Sequence, residues 1–235
     1  MVKTVKEQIE NTKKKIRYTK EKINSLDFDA HWYRRVFHTF GASFLVYYLL
    51  PDYDWINLFK PLVLSSIVFF IIILETLRIN GFISSDYFFG LRMYEKKRIG
   101  SYVFFAVGVL LLLAFFPQLI AIPCILCASI GDPVMGEIRH RFNIRNAYII
   151  GFLVGLFFFL FSWYSADWFL MILASIIGAC VAVIGEIKKF WWIDDDLMIQ
   201  ILPAVLLLIL WNIGIYLGWN LPSDIIHPIL VSNGL

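Results

Sequence analysis

The stretch Ser129-Ile130-Gly131-Asp132-Pro133-Val134-Met135-Gly136-Glu137-Ile138-Arg139-His140-Arg141 sets two carboxylates and two arginines between apolar runs. Residues 119–128 before it and 149–161 after it read as membrane. Ionisable groups at that depth are costly, so their default reading is functional. Oxygen ligands suit Mg²⁺ and guanidinium forks suit phosphoryl oxygens, so Asp132, Glu137, Arg139 and Arg141 are a set that could hold a metal-bridged phosphate. Gly131, Pro133 and Gly136 predict a tight turn that brings backbone close to a ligand. The plainer reading is a charged loop.

A second carboxylate centre is Asp194-Asp195-Asp196. Three adjacent carboxylates repel unless a cation compensates them. Mg²⁺ is the natural compensator, with Asp132 as a fourth carboxylate on the same side. The alternative is a solvated acidic loop balanced by Lys188 and Lys189. Further charges stand at the ends of apolar runs: Arg34/Arg35/His38, Glu75/Arg78, Arg92/Glu95 and Glu186/Lys188/Lys189, the last forming one cluster with Asp194–Asp196. Arg34 and His38 are i,i+4, and Glu75 and Arg78 are i,i+3, so each pair shares a helix face. His38 and Glu75 lie inside apolar runs and need partners there. Singly, each cluster reads as a structural salt bridge. Five on one side read as one shared site.

The elements that must position these residues are membrane spans. The chain has 235 residues, is 60% hydrophobic and 17% charged, and holds 22 Phe and 8 Trp. Its mean hydropathy is +0.73. An ordinary globular domain is about 45–50% apolar, so the expected fold is an all-α, polytopic helical membrane protein. Seven spans are expected: Val36–Leu50, Leu58–Leu77, Ile99–Phe116, Leu119–Ile130, Ala147–Trp163, Trp168–Gly185 and Leu197–Leu217. A full crossing takes about 20 residues, so the first and fourth are short enough to be tilted or re-entrant. Residues 1–30 form a basic segment in which Val2, Ile9, Ile16 and Ile23 recur every seven, an amphipathic helix for a membrane surface or intramolecular packing. Residues 31–220 hold the spans, and 221–235 are a short tail. Lys and Arg number ten before the first span, five in 78–98, three in 139–145 and two in 188–189. With seven spans these connections share one face, which the positive-inside rule makes cytoplasmic. The N-terminus and the candidate site are then inside and the C-terminus outside. High Ile and Lys usage points to an AT-rich prokaryote and so to its cell membrane. Nothing suggests nucleic-acid binding, and an oligomer is possible. Cys124, Cys127 and Cys180 lie in spans and read as small apolar packers.

The clusters, in their order, resemble the polyprenol kinases, the dolichol kinase, phytol kinase and CTP-dependent diacylglycerol kinase group. Arg34-Arg35-Val36-Phe37-His38 with Gly41 looks like the family's R-[RK]-x-x-H opening, and Leu74-Glu75-Thr76-Leu77-Arg78 like its E-x-x-R. Arg92-Met93-Tyr94-Glu95 with Gly100 is similar to its R-x-x-E…G. Ser129-Ile130-Gly131-Asp132-Pro133 resembles its GD loop, and Ile193-Asp194-Asp195-Asp196-Leu197 its D-D-N segment. The likeness covers about 32–210. It implies CTP as phosphoryl donor, Mg²⁺, and a long-chain lipid alcohol entering sideways from the bilayer. Asp132 and Asp194–Asp196 would hold the metal. Arg34, Arg35, Arg78, Arg92, Glu95, Arg139, Arg141, Arg145, Lys188 and Lys189 would serve the nucleotide and its phosphates. Glu75, Glu137 or His38 would accept the hydroxyl proton. Three departures stand out. Residues 143–151 lack the family's K-[ST]-x-E-G, Asp196 replaces Asn, and Gln200 replaces Pro. Arg145 offers the missing lysine's charge but not its geometry. Two other readings share these residues: a cytidylyltransferase making a CDP-activated lipid, and a relative that binds lipid or a partner without turnover.

Overall fold

The computed structural model describes residues 32–222 apart from 34, 52, 89–90, 92–94 and 188–192. The expected amphipathic helix at 1–30 lies outside the described residues, as does most of the tail. Among the described residues the regular elements are all helices. An opening segment is helical over 35–40, continues as the 3₁₀ turn Gly41–Leu45, and ends in the short helix Val46–Leu49. Then come α1 (Asp54–Ile79), α2 (Ser101–Phe115), α3 (Gln118–Arg141), α4 (Ile144–Ser162), α5 (Trp168–Ile187) and α6 (Asp195–Tyr216). All but α2 are long and apolar enough to cross a membrane, which makes this an integral membrane protein.

Seven equal spans are not what forms. The second, fifth, sixth and seventh expected spans appear as α1, α4, α5 and α6. The third is a 15-residue helix, and the first is broken by the 3₁₀ turn. The fourth is longer than expected. Residues 131–141 do not turn back but continue the helix through a π turn at Cys127–Gly131, so α3 reaches Arg141. Pro133 is the physical reason for the turn expectation, and the π turn before it is what lets the helix continue. A proline inside a regular helix lacks an N–H and clashes with the carbonyl four residues back. The wider π turn, in which Asp132 N–H donates to Cys127 O five residues back, absorbs that mismatch. Pro133 then falls in the first turn of the resumed α-helix, where proline is tolerated. The chain reverses at Phe142 instead, and Asn143 caps α4 by accepting from Asn146 N–H at 2.8 Å.

The bundle closes around α6, which packs on α2, α3 and α5. Val109, Leu112, Ile120, Ala174, Ala204 and Leu207 form part of its core. One face of α5 is small (Ala174, Gly178, Ala182, Gly185), which lets neighbouring backbones come close. A Cβ at Gly185 would lie 2.8 Å from the Met198 carbonyl oxygen, so α5 and α6 touch backbone to backbone there. Cys124 and Cys127 are buried packers as expected, whereas Cys180 is exposed on α5 and packs no core.

Candidate functional site

Three stretches far apart in sequence meet at one end of the bundle. His38 comes from the opening segment, Asp132 from the π turn's exit in α3, and Asp196 from the first turn of α6. His38 Nδ1 lies 3.8 Å from Asp132 Oδ2 and 3.6 Å from Asp196 Oδ1. One ligand atom from each of the three falls within 4.8 Å of the others, and Asp194, Asp195 and Asp196 form a second such group. His38, Asp195 and Asp196 are buried. The Phe105 ring meets the imidazole edge-on at 5.2 Å. Gly41 lets the opening segment lie this close, because a Cβ there would overlap Phe105 and crowd Ser129. Asp194 caps α6 by accepting from Asp195 N–H at 2.8 Å. Asp195 and Asp196 follow in the first turn, where the helix dipole favours carboxylates. Gln200 donates from Nε2 to Asp196 O at 2.8 Å and to Phe105 O at 3.3 Å, holding that turn against α2.

The basic residues close the other side. Arg35 and Arg141 both donate to Glu137, Arg35 across from the opening segment and Arg141 within α3. Arg141 and Asp132 are further charges near Arg35. Arg139 Nη2 donates to Glu186 Oε1 at 2.8 Å, and its guanidinium lies over the Tyr148 ring. Glu186, buried at the end of α5, has Asp132 and Asp195 as like-charged neighbours. The sequence grouped Glu186 with the charges that follow it but gave it no role; its position one residue from the end of an apolar run was the available signal. A cavity of about 1350 Å³ opens over Arg35, His38, Asp132, Glu137, Arg139 and Glu186.

Other expected members stand elsewhere. Glu75 and Arg78 form a separate buried network and do not line this cavity. Arg78 donates to Glu75 from Nε at 2.6 Å and Nη2 at 2.7 Å. Glu75 also accepts from Gly100 N–H at 2.5 Å and from the Tyr102 hydroxyl. Arg78 further donates to the carbonyls of Lys96 and Arg98 and to Ser85 Oγ. The pair thus staples the end of α1 to the start of α2. Glu95 is buried in the 3₁₀ turn Glu95–Lys97 beside that network. Arg145 is exposed at the start of α4, outside the cavity lining. Arg34, Arg92, Lys188 and Lys189 lie outside the described residues.

The donor set fits a divalent cation in part. Two carboxylates from different helices suit Mg²⁺, which is commonly held by one or two carboxylates and substrate phosphates. An imidazole nitrogen is a poorer magnesium ligand, which leaves His38 for proton chemistry or for a softer metal. Comparison of the chain with protein-family models, with curated proteins and with solved structures finds no match.

Proposed function

We propose that this protein is a membrane-embedded kinase that uses CTP and Mg²⁺ to phosphorylate the hydroxyl of a long-chain lipid alcohol at the cytoplasmic face. The observation that carries the reading is the convergence of His38, Asp132 and Asp196 beneath a cavity rimmed by Arg35, Arg139 and Arg141. Phosphoryl transfer asks a protein mainly for positioning and charge neutralisation, and this site offers both. Asp132 and Asp196 would hold the magnesium ion, which supplies charge neutralisation to the phosphates. Arg139 and Arg141 bind phosphoryl oxygens. The alcohol oxygen attacks the γ-phosphorus, its bond to the β–γ bridging oxygen breaks, and CDP leaves. His38 takes the hydroxyl proton: of the three candidate bases, Glu75 is held by Arg78, Gly100 and Tyr102, and Glu137 is clasped by two arginines. In this reading α2 and the opening segment also cross, as short spans. All four basic connections then share the inner face.

The test is CTP binding by the purified protein with and without Mg²⁺, in wild type and Asp132→Asn. Metal-dependent binding is expected, weakened in the variant by more than about 10-fold, the loss that removing even an outer partner of a metal brings. No CTP binding in either condition overturns the reading. If CTP is consumed, released CDP marks the kinase, whereas pyrophosphate marks a cytidylyltransferase. Binding without consumption over a panel of alcohols marks a relative without turnover.

A further inference from the structure

The opening segment and α3 pass one another in a definite register. A Cβ at Gly41 would lie 3.2 Å from Ser129 Oγ, His38 Nδ1 lies 3.8 Å from Asp132 Oδ2, and Arg35 donates to Glu137. Falling numbers on the opening segment meet rising numbers on α3, so the two run antiparallel. The next turn back along the opening segment brings Trp32, and the next turn along α3 brings His140 and Arg141. All three line the cavity, which sets Trp32 at its basic mouth. The indole is 60% exposed. Among the described residues it has no ring partner, whereas Tyr33 beside it stacks on Phe37 at 6.4 Å. A tryptophan that only anchors a span turns toward the lipid headgroups. Trp32 instead borders a space rimmed by arginines, where the phosphate chemistry has no use for a flat apolar ring.

We infer that Trp32 is the platform on which the base of the nucleoside triphosphate stacks. The inference rests on the proposed kinase reading for the presence of a nucleotide, and it accounts for the part of that molecule which the charged residues cannot hold. The order of groups along α3 sets the direction. The terminal phosphate belongs at Asp132, beside His38, and Arg139 and Arg141 draw the remaining phosphates toward the end of the helix. His140 lies about 12 Å along α3 from Asp132, at about 1.5 Å per residue, a span that a triphosphate with its ribose covers. The base then arrives beside Trp32. Phe40 also lines the cavity, but it precedes Gly41 and lies on the far side of His38 from Arg35, so the same order leaves it no base to hold. Every base has a π face, so stacking on Trp32 supplies affinity without choosing between cytosine and uracil.

The experiment is calorimetric titration of the full-length protein in detergent with Mg²⁺. CTP, UTP and inorganic tripolyphosphate are each titrated into wild type, Trp32→Ala, Trp32→Phe and Phe40→Ala. Trp32→Ala is expected to weaken CTP and UTP alike by about ten-fold, the loss of one base-on-aromatic stack, and to move tripolyphosphate by less than about two-fold. Trp32→Phe keeps an aromatic face and is expected to retain most of the nucleotide affinity. Phe40→Ala is expected to leave all three ligands as in wild type. Trp32→Ala losing CTP and tripolyphosphate equally, or losing neither, overturns the platform and leaves the kinase reading standing. Wild-type CTP binding no tighter than tripolyphosphate overturns the platform as well. No binding of any of the three removes the reading and the platform together. CTP affinity that depends on Trp32, without CDP release over a panel of alcohols, keeps the platform and removes the kinase.

Discussion

Arg78 has no solvent-exposed side-chain surface, and Glu75 is its counter-charge. Breaking such a pair by removing one partner strands a buried charge, which is far costlier than never having had the pair. Glu75→Gln is therefore expected to destabilise the protein by about 3–5 kcal/mol. Unfolding of the detergent-solubilised protein measures this, and a loss under about 1 kcal/mol would show that the network matters little to the fold. Magnesium-dependent CTP binding by the variant should fall no further than its folded fraction, since the network does not line the cavity. The spacing of Glu75 and Arg78 already stated that they pair. It did not state that Gly100 and Tyr102 complete the pairing, because those partners come from the next helix, and a local pattern carries no information about which element docks beside it.

At the scale of elements, the π turn and the α5–α6 contact decide where the carboxylates stand. The π turn widens α3 just before Asp132 and so sets the angle at which that side chain leaves the helix. Gly185 lets α6 approach so closely that Asp195 comes beside Glu186 of α5. Gly185→Ala is expected to push the two backbones apart, costing about 1–3 kcal/mol as overpacking does. It is also expected to weaken Mg²⁺-dependent CTP binding without touching a charged group. Paired measurements of thermal unfolding and CTP binding check this. A variant equal to wild type in both would mean that the contact relaxes freely. Helix length and apolarity were readable along the chain. The π turn was not, because Gly-Asp-Pro-x-x-Gly favours a turn in isolation, and the packing of Ala128, Ser129 and Met135 in the core holds the helix through it instead.

For the whole molecule, the formal net charge of +3 matters less than its placement. The proposed inside position of the basic connections makes a direct prediction. Introduced as single reporters on a background with Cys180 replaced, Ser165→Cys between α4 and α5 is expected to react with an impermeant maleimide in intact cells. Arg145→Cys at the start of α4 is expected to react only after lysis. Both positions are exposed in the fold. The opposite pattern would turn the site outward, away from cytoplasmic nucleotide, and would sink the kinase as stated.

The sequence by itself determined that the protein is helical and membrane-embedded, because apolarity over a run of about 20 residues is a local property that the bilayer reads directly. It also marked His38, Asp132 and Asp194–Asp196 as chemically unusual, because ionisable groups beside apolar runs carry a solvation cost that any fold must answer. Tertiary structure alone decided which of those groups answer one another. His38 meets Asp132 and Asp196 across gaps of 94 and 158 residues. Glu186 lies beside Asp132 and Asp195 and pairs with Arg139, and Glu75 with Arg78 is left to a staple of its own. Those pairings follow from close packing at Gly41 and Gly185 and from a widened turn before Pro133, features set by the shapes of packed neighbours rather than by spacing along the chain.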